Sequence, residues 1–84
     1  MVVKMRSSIF IDALQFQLNA PKAECLKGVL KDDTGSVCRT IERDLSSEKE
    51  LVTWTGLNEL PYGRYTLELS HGGDEMKLNL VKRV

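Results

Sequence analysis

An excess of charge of either sign is missing from this chain. Twelve Lys and Arg offset twelve Asp and Glu, for a formal net charge of zero. The basic residues are scattered from Lys4 to Arg83 without the clustered face that nucleic-acid phosphates require, so nucleic-acid binding is not expected. Long apolar runs are missing as well. No stretch approaches the roughly 18 residues of a membrane span, and membrane insertion is not expected. The opening residues 1–8 are too short, and too interrupted by Lys4 and Arg6, to form the apolar region of a signal peptide. That leaves a chain that stays inside, an excised domain, or export without a cleaved leader. Helical periodicity, internal repeats, glycine-rich phosphate loops and zinc-ligand spacings are also lacking.

What is present is short and alternating. The chain of 84 residues is expected to be one domain, 1–84, with 1–8 as a flexible lead-in. A chain this short buries only about 60–65% of its unfolded surface, which leaves no room for a large internal active site. The strongest signal is at the end, where Tyr65, Leu67 and Leu69 alternate with Thr66, Glu68 and Ser70. After His71-Gly72-Gly73-Asp74, Met76, Leu78 and Leu80 alternate with Lys77 and Asn79. Setting Ser70 opposite Glu75 pairs Leu69 with Met76, Leu67 with Leu78 and Tyr65 with Leu80 on one apolar face. The other face then pairs Glu68 with Lys77 and Thr66 with Asn79, and a slip of one residue would ruin both.

A second hairpin is expected around Asp32-Asp33-Thr34-Gly35, residues that favour turns through side-chain hydrogen bonds and positive φ. Pairing Lys31 with Ser36 puts Leu26, Leu30, Val37 and Ile41 on one face and sets Gly28 against Arg39. The space at Gly28 invites a large neighbour, and Trp54 is the candidate. Upstream, Leu14, Phe16 and Leu18 form a half-buried strand ending at Ala20-Pro21. Ile9 and Ile11 lie on the opposite parity, which predicts a bulge near Asp12-Ala13. Glu42–Glu50 is expected as a loop or edge strand, with a short helix from Ser46 or Ser47 as an alternative, and 51–54 as the next strand. Gly56, Pro61 and Gly63 punctuate the link to the final hairpin. Six or seven short strands of this kind predict an all-β, immunoglobulin-like antiparallel sandwich.

The chemistry-bearing residues are sparse. In the register above Cys38 faces Val29 and Cys25 lies four residues further along, about 13 Å away at ~3.3 Å per residue, beyond disulfide reach. Two free thiols favour a reducing, cytoplasmic setting. His71, the one histidine, is expected to be a solvated turn residue with no nucleophile to serve. Asp32, Asp33 and Thr34 could offer oxygens to calcium, but their spacing fits a turn better than a cation loop. No catalytic residue, cofactor or metal is expected. Tyr62, Trp54 and Asp33 are the candidates for partner contact, the aromatics because they dominate interface energetics.

The run from Leu14 to Leu69 resembles the immunoglobulin-like domain of the bacterial flagellar hook-capping protein and its extracellular relatives. The resemblance rests on Leu14-Gln15-Phe16-Gln17-Leu18, on Leu30-Lys31-Asp32-Asp33-Thr34-Gly35 followed by Val37-Cys38-Arg39-Thr40-Ile41, on Val52-Thr53-Trp54-Thr55-Gly56 and on Leu60-Pro61-Tyr62-Gly63-Arg64-Tyr65. Order and spacing also look like the C-terminal sorting domains of type IX secretion cargo, whose last strand ends much as Met76–Val84 does. Neither family implies a catalytic residue. Both imply an extracellular setting and a protein-interaction or attachment module in a surface, secretion or appendage assembly. A carbohydrate- or calcium-binding accessory domain, using Trp54 or Tyr62 for stacking or Asp32 and Asp33 as ligands, is the alternative.

Overall fold

A computed structural model describes residues 2–5, 7–19, 25–44 and 49–83. The strands are β1 (Val2–Met5), β2 (Ile9–Phe10), β3 (Leu14–Asn19), β4 (Cys25–Asp32), β5 (Val37–Asp44), β6 (Lys49–Trp54), β7 (Gly63–His71) and β8 (Asp74–Lys82). They form two sheets, a three-stranded one in the order β1-β3-β6 and a five-stranded one in the order β2-β8-β7-β4-β5. Every pairing is antiparallel except β2 with β8. The chain is an all-β sandwich. No helix among the described residues is long and apolar enough to cross a membrane.

Period-two patterning explains why the sheets face each other. Leu14, Phe16 and Leu18 of β3 and Val52 and Trp54 of β6 are buried from one side. Leu26 and Leu30 of β4, Tyr65, Leu67 and Leu69 of β7 and Leu80 of β8 are buried from the other. Phe10, Leu57 and Leu60 complete this single core. The final hairpin has the expected register throughout, from Ser70↔Glu75 to Tyr65↔Leu80. Gly72 at φ 61° supplies the left-handed conformation that its two-residue turn needs.

Eight strands stand where six or seven were expected, and the first ten residues supply β1 and β2. The expected lead-in contains β1, paired with β3 from Val2↔Asn19 to Met5↔Phe16. The parity break near Asp12 is not a bulge but a change of sheet: β2 belongs to the five-stranded sheet and β3 to the three-stranded one. Phe10 is therefore the inward residue, while Ile9 and Ile11 are exposed. Of the charged stretch 42–50, residues 42–44 end β5 and residues 49–50 begin β6, while 45–48 lie outside the described residues. The helix considered from Ser46 or Ser47, and the strand end at Ala20-Pro21, fall outside the described residues.

The β4–β5 register differs from expectation, and Asp32 is the reason. Its Oδ1 accepts hydrogen bonds from the Thr34 N–H (2.9 Å), the Thr34 hydroxyl (2.6 Å) and the Ser36 N–H (3.0 Å). Asp32 also donates its own N–H to the Ser36 carbonyl, and the Gly35 N–H reaches the Asp32 carbonyl. With Gly35 at φ 87°, this is a three-residue loop, 33–35, rather than the four residues 32–35 between the expected arms. Lys31 consequently pairs with Val37, the register shifts, and Leu30 pairs with Arg39. Cys38 is the extra residue of a bulge. Val37 is exposed rather than in the core, and Ile41, not Arg39, stands opposite Gly28. Trp54 does pack beside Gly28, with Ile41 and Leu69 closer.

The hydrogen bonds from the Thr34 hydroxyl and then the Ser36 N–H hold the Asp32 carboxyl below its ordinary value. A depressed folded-state pKa stabilises the fold above the unfolded value and loses that contribution as pH falls through the folded one. Asp32→Asn should therefore flatten the decline of denaturation midpoints below about pH 4. An unchanged acid slope would show that the turn does not hold this carboxylate.

Tyr65, near the start of β7, donates its hydroxyl to the Pro61 carbonyl at 2.6 Å. A tyrosine bonded to backbone a few residues upstream at this corner is a recurrent feature of immunoglobulin-like sandwiches. Burial first, then the nearby Cys38, Asp32 and Asp33, pushes the phenol above its ordinary value, against Arg39. A raised folded-state pKa gives stability that is complete below about pH 10 and fades as pH rises through the folded value. Tyr65→Phe should cost about 1 kcal/mol at neutral pH and lessen the alkaline loss seen in the parent. Parallel urea-midpoint profiles for parent and variant between pH 9 and 11 would overturn this role.

Candidate functional site

The outer face of the five-stranded sheet is concave, and the reason lies in side-chain length. Thr66 and Asn79 are cross-strand partners on β7 and β8, with Lys31 beside Thr66 on β4. Along the strands these two short residues are flanked by longer ones, Arg64 and Glu68 on β7 and Lys77 on β8. Two adjoining depressions of about 590 and 500 Å³ result, sharing Asp33, Thr66 and Asn79. Asp32 pairs with Tyr65, so one further step of that register sets Asp33 level with Arg64. A hydroxyl and an amide thus form the floor, and charged groups form the walls.

The charges on this face are unevenly matched. Lys31 Nζ lies 3.0 Å from Glu68 Oε2, and this contact, with the added charge of Lys77, lowers the Glu68 pKa. The Asp32 carboxylate is committed to its own turn. At the adjacent corner Lys82 is buried, donating from Nζ to the Arg83 carbonyl at 2.9 Å with the Tyr62 ring centroid 5.4 Å away. Its ladder partners are Gly63 on β7 and Phe10 on β2. Among the described residues no ion pair joins Arg64, Lys77, Lys82 or Arg83 to a carboxylate.

The sequence candidates separate clearly. Asp33 is exposed at the wall of the depressions, whereas Tyr62, 65% exposed and two residues before Arg64, lines neither of them. Trp54 is a correction: it faces the core at 8% exposure and presents no ring for stacking. His71 is another correction. It shares the inward parity of Tyr65, Leu67 and Leu69, and the turn begins only at Gly72, so the imidazole is buried with Nε2 unpartnered. Cys25 pairs with Asp44 while Cys38 sits at the bulge near Lys31. These are opposite ends of the β4–β5 ladder, and both thiols are free. Among the described residues no three His, Cys, Asp or Glu side chains converge as a metal site would need.

Thr66, Lys77 and Asn79 were legible as a polar face, but not as a hollow. Lys82 did leave a signal, since it continues the parity of Leu78 and Leu80. The three-stranded sheet has its own shallow depression of about 570 Å³, lined by Lys4, Gln15, Gln17 and Leu51 among others. No family model matches the chain, and no curated protein is detectably similar to it.

Proposed function

We propose that this domain is a non-enzymatic interaction module that receives a protein partner on the outer face of its five-stranded sheet. The carrying observation is the hollow over Thr66 and Asn79, whose walls hold cations with no carboxylate partner among the described residues, with the exposed Tyr62 two residues along the chain from the Arg64 wall. Tyr and Arg are the side chains most enriched at interface hot spots. A shallow, open hollow suits a protruding polypeptide segment better than an enclosed small molecule. The likeness of its turn and corner motifs to hook-capping and sorting domains supports a surface, secretion or appendage assembly as the setting.

A photoreactive benzophenone side chain at Asn79, compared with one at Leu51 on the opposite sheet, tests this in material from the native source. Polypeptide adducts from position 79 and not from 51 are expected. Equal labelling, or no polypeptide adduct at 79, would remove the proposal.

A further inference from the structure

Charge on the proposed docking face is less balanced than the neutral chain suggests. Lys31 and Glu68 satisfy each other, and Asp32 is bound by its turn. That leaves Arg64, Lys77 and Arg83 against Asp33, with Glu75, Lys27 and Glu42 lying beyond Lys77 in the next cross-strand row as the far limit of the patch. Lys82 adds to this charge from behind, at the edge of the core on the parity of Leu78 and Leu80. Its side chain is buried, and its ammonium meets a carbonyl and an aromatic ring rather than a carboxylate. A cation withdrawn from water without a counter-ion raises the local potential more than an exposed one does.

The apolar features adjoin the same corner. Ile9, 47% exposed, pairs with Val81, which pairs with Arg64. Arg83 donates its N–H to the Phe10 carbonyl at 2.9 Å, which brings its backbone alongside β2. A row of Ile9, Val81 and Arg64 therefore runs past Tyr62 and Arg83. We infer that the partner segment seated here is an acidic polypeptide, with carboxylates meeting Arg64, Lys77 and Arg83 beside an apolar residue resting on Ile9 and Tyr62. Nucleic acid fits less well, because Arg64, Lys77 and Arg83 form a small patch rather than the extended basic track that a phosphate backbone needs.

This inference rests on the docking face proposed above, and its test can fail separately. Nitrogen-15-labelled full chain is titrated with the capped peptide Ser-Glu-Glu-Ile-Glu-Glu-Ser, with its glutamine counterpart and with oligothymidylate. The glutamate peptide should move the amides of Arg64, Thr66, Lys77, Asn79 and Arg83, and its binding should weaken with salt. Arg64→Glu with Arg83→Glu, both exposed positions, should weaken it about tenfold while leaving the spectrum folded. Equal shifts with the glutamine peptide, stronger binding of the oligonucleotide, shifts on β1-β3-β6, or no shifts at all would overturn acidic recognition. If position 79 still crosslinks to a polypeptide in that event, the module stands and only the acidic partner is lost.

Discussion

Trp54→Ala should remove about 3–5 kcal/mol of stability, the cost of deleting a large aromatic from a core that cannot collapse onto the space. Small domains hold only about 5–15 kcal/mol in total, so the variant should melt at least about 12 °C lower. The ring is 8% exposed. It lies opposite Leu14 at the end of β6, and its Cζ3 comes 3.7 Å from where a Cβ on Gly28 would stand. It therefore spans the gap between the sheets. Trp54 is the only tryptophan, so unfolding of the variant is best followed by far-ultraviolet circular dichroism. A loss under about 1 kcal/mol would mean that the ring is a surface group after all. Loss of partner binding in this variant would be read as unfolding, not as loss of a contact.

Gly28→Val should be comparably damaging, at about 3 kcal/mol. A Cβ at position 28 would sit 2.7 Å from Ile41 Cγ2 and 3.3 Å from Leu69 Cδ2. The leucine methyl is terminal and can swing away. The isoleucine methyl is attached directly to its β-carbon and moves only if χ1 changes. Alanine meets the same clash with fewer atoms, offset by about 0.5–1 kcal/mol from the conformational freedom that glycine loses on folding, so its cost is smaller. The cause can be isolated in a double-mutant cycle of Gly28→Ala with Ile41→Ala by urea denaturation. Removing the isoleucine methyl should rescue the alanine, with a coupling of about 1 kcal/mol or more. Effects that merely add would show that the crowding lies elsewhere.

These two residues also show how legibility divides. The space at Gly28, and Trp54 as its neighbour, could be read from a glycine inside an apolar strand and one large ring in search of a place. Ile41 could not, because its position depends on the β4–β5 register. That register is set by three hydrogen bonds to a single carboxylate oxygen of Asp32, a detail that composition cannot convey. The β7–β8 register was legible because the arms alternate strictly from Tyr65 to Ser70 and from Glu75 to Leu80 and only two residues lie between the closing pair His71 and Asp74. Around β2 the consecutive Ile9, Phe10 and Ile11 are all apolar, so parity alone could not say which faces inward. The proposed docking face was partly visible: Asp33 and Tyr62 were singled out from residue type, whereas the hollow depends on Thr66 and Asn79 being shorter than their neighbours. Lys82 escaped notice because a lysine at an apolar position is normally assumed to point outward.

The parallel pairing of β2 with β8 bears on how the domain carries mechanical load. The pairing is made by bonds that include Val81 N–H to Ser8 carbonyl and Arg83 N–H to Phe10 carbonyl, at 2.8 and 2.9 Å. Because the strands run the same way, tension that reaches β2 from its N-terminal side and β8 from its C-terminal side slides one along the other. The bonds are then strained together and must break together, whereas tension between Gly63 and Arg83, side by side at the open end of the β7–β8 hairpin, would peel β8 from β7 one bond at a time. Pulling single molecules by Ser7 and Arg83 should give a higher rupture force than pulling by Gly63 and Arg83, and equal forces would deny β2 this role. The shortest strand of the fold would then be the one that keeps it closed under tension.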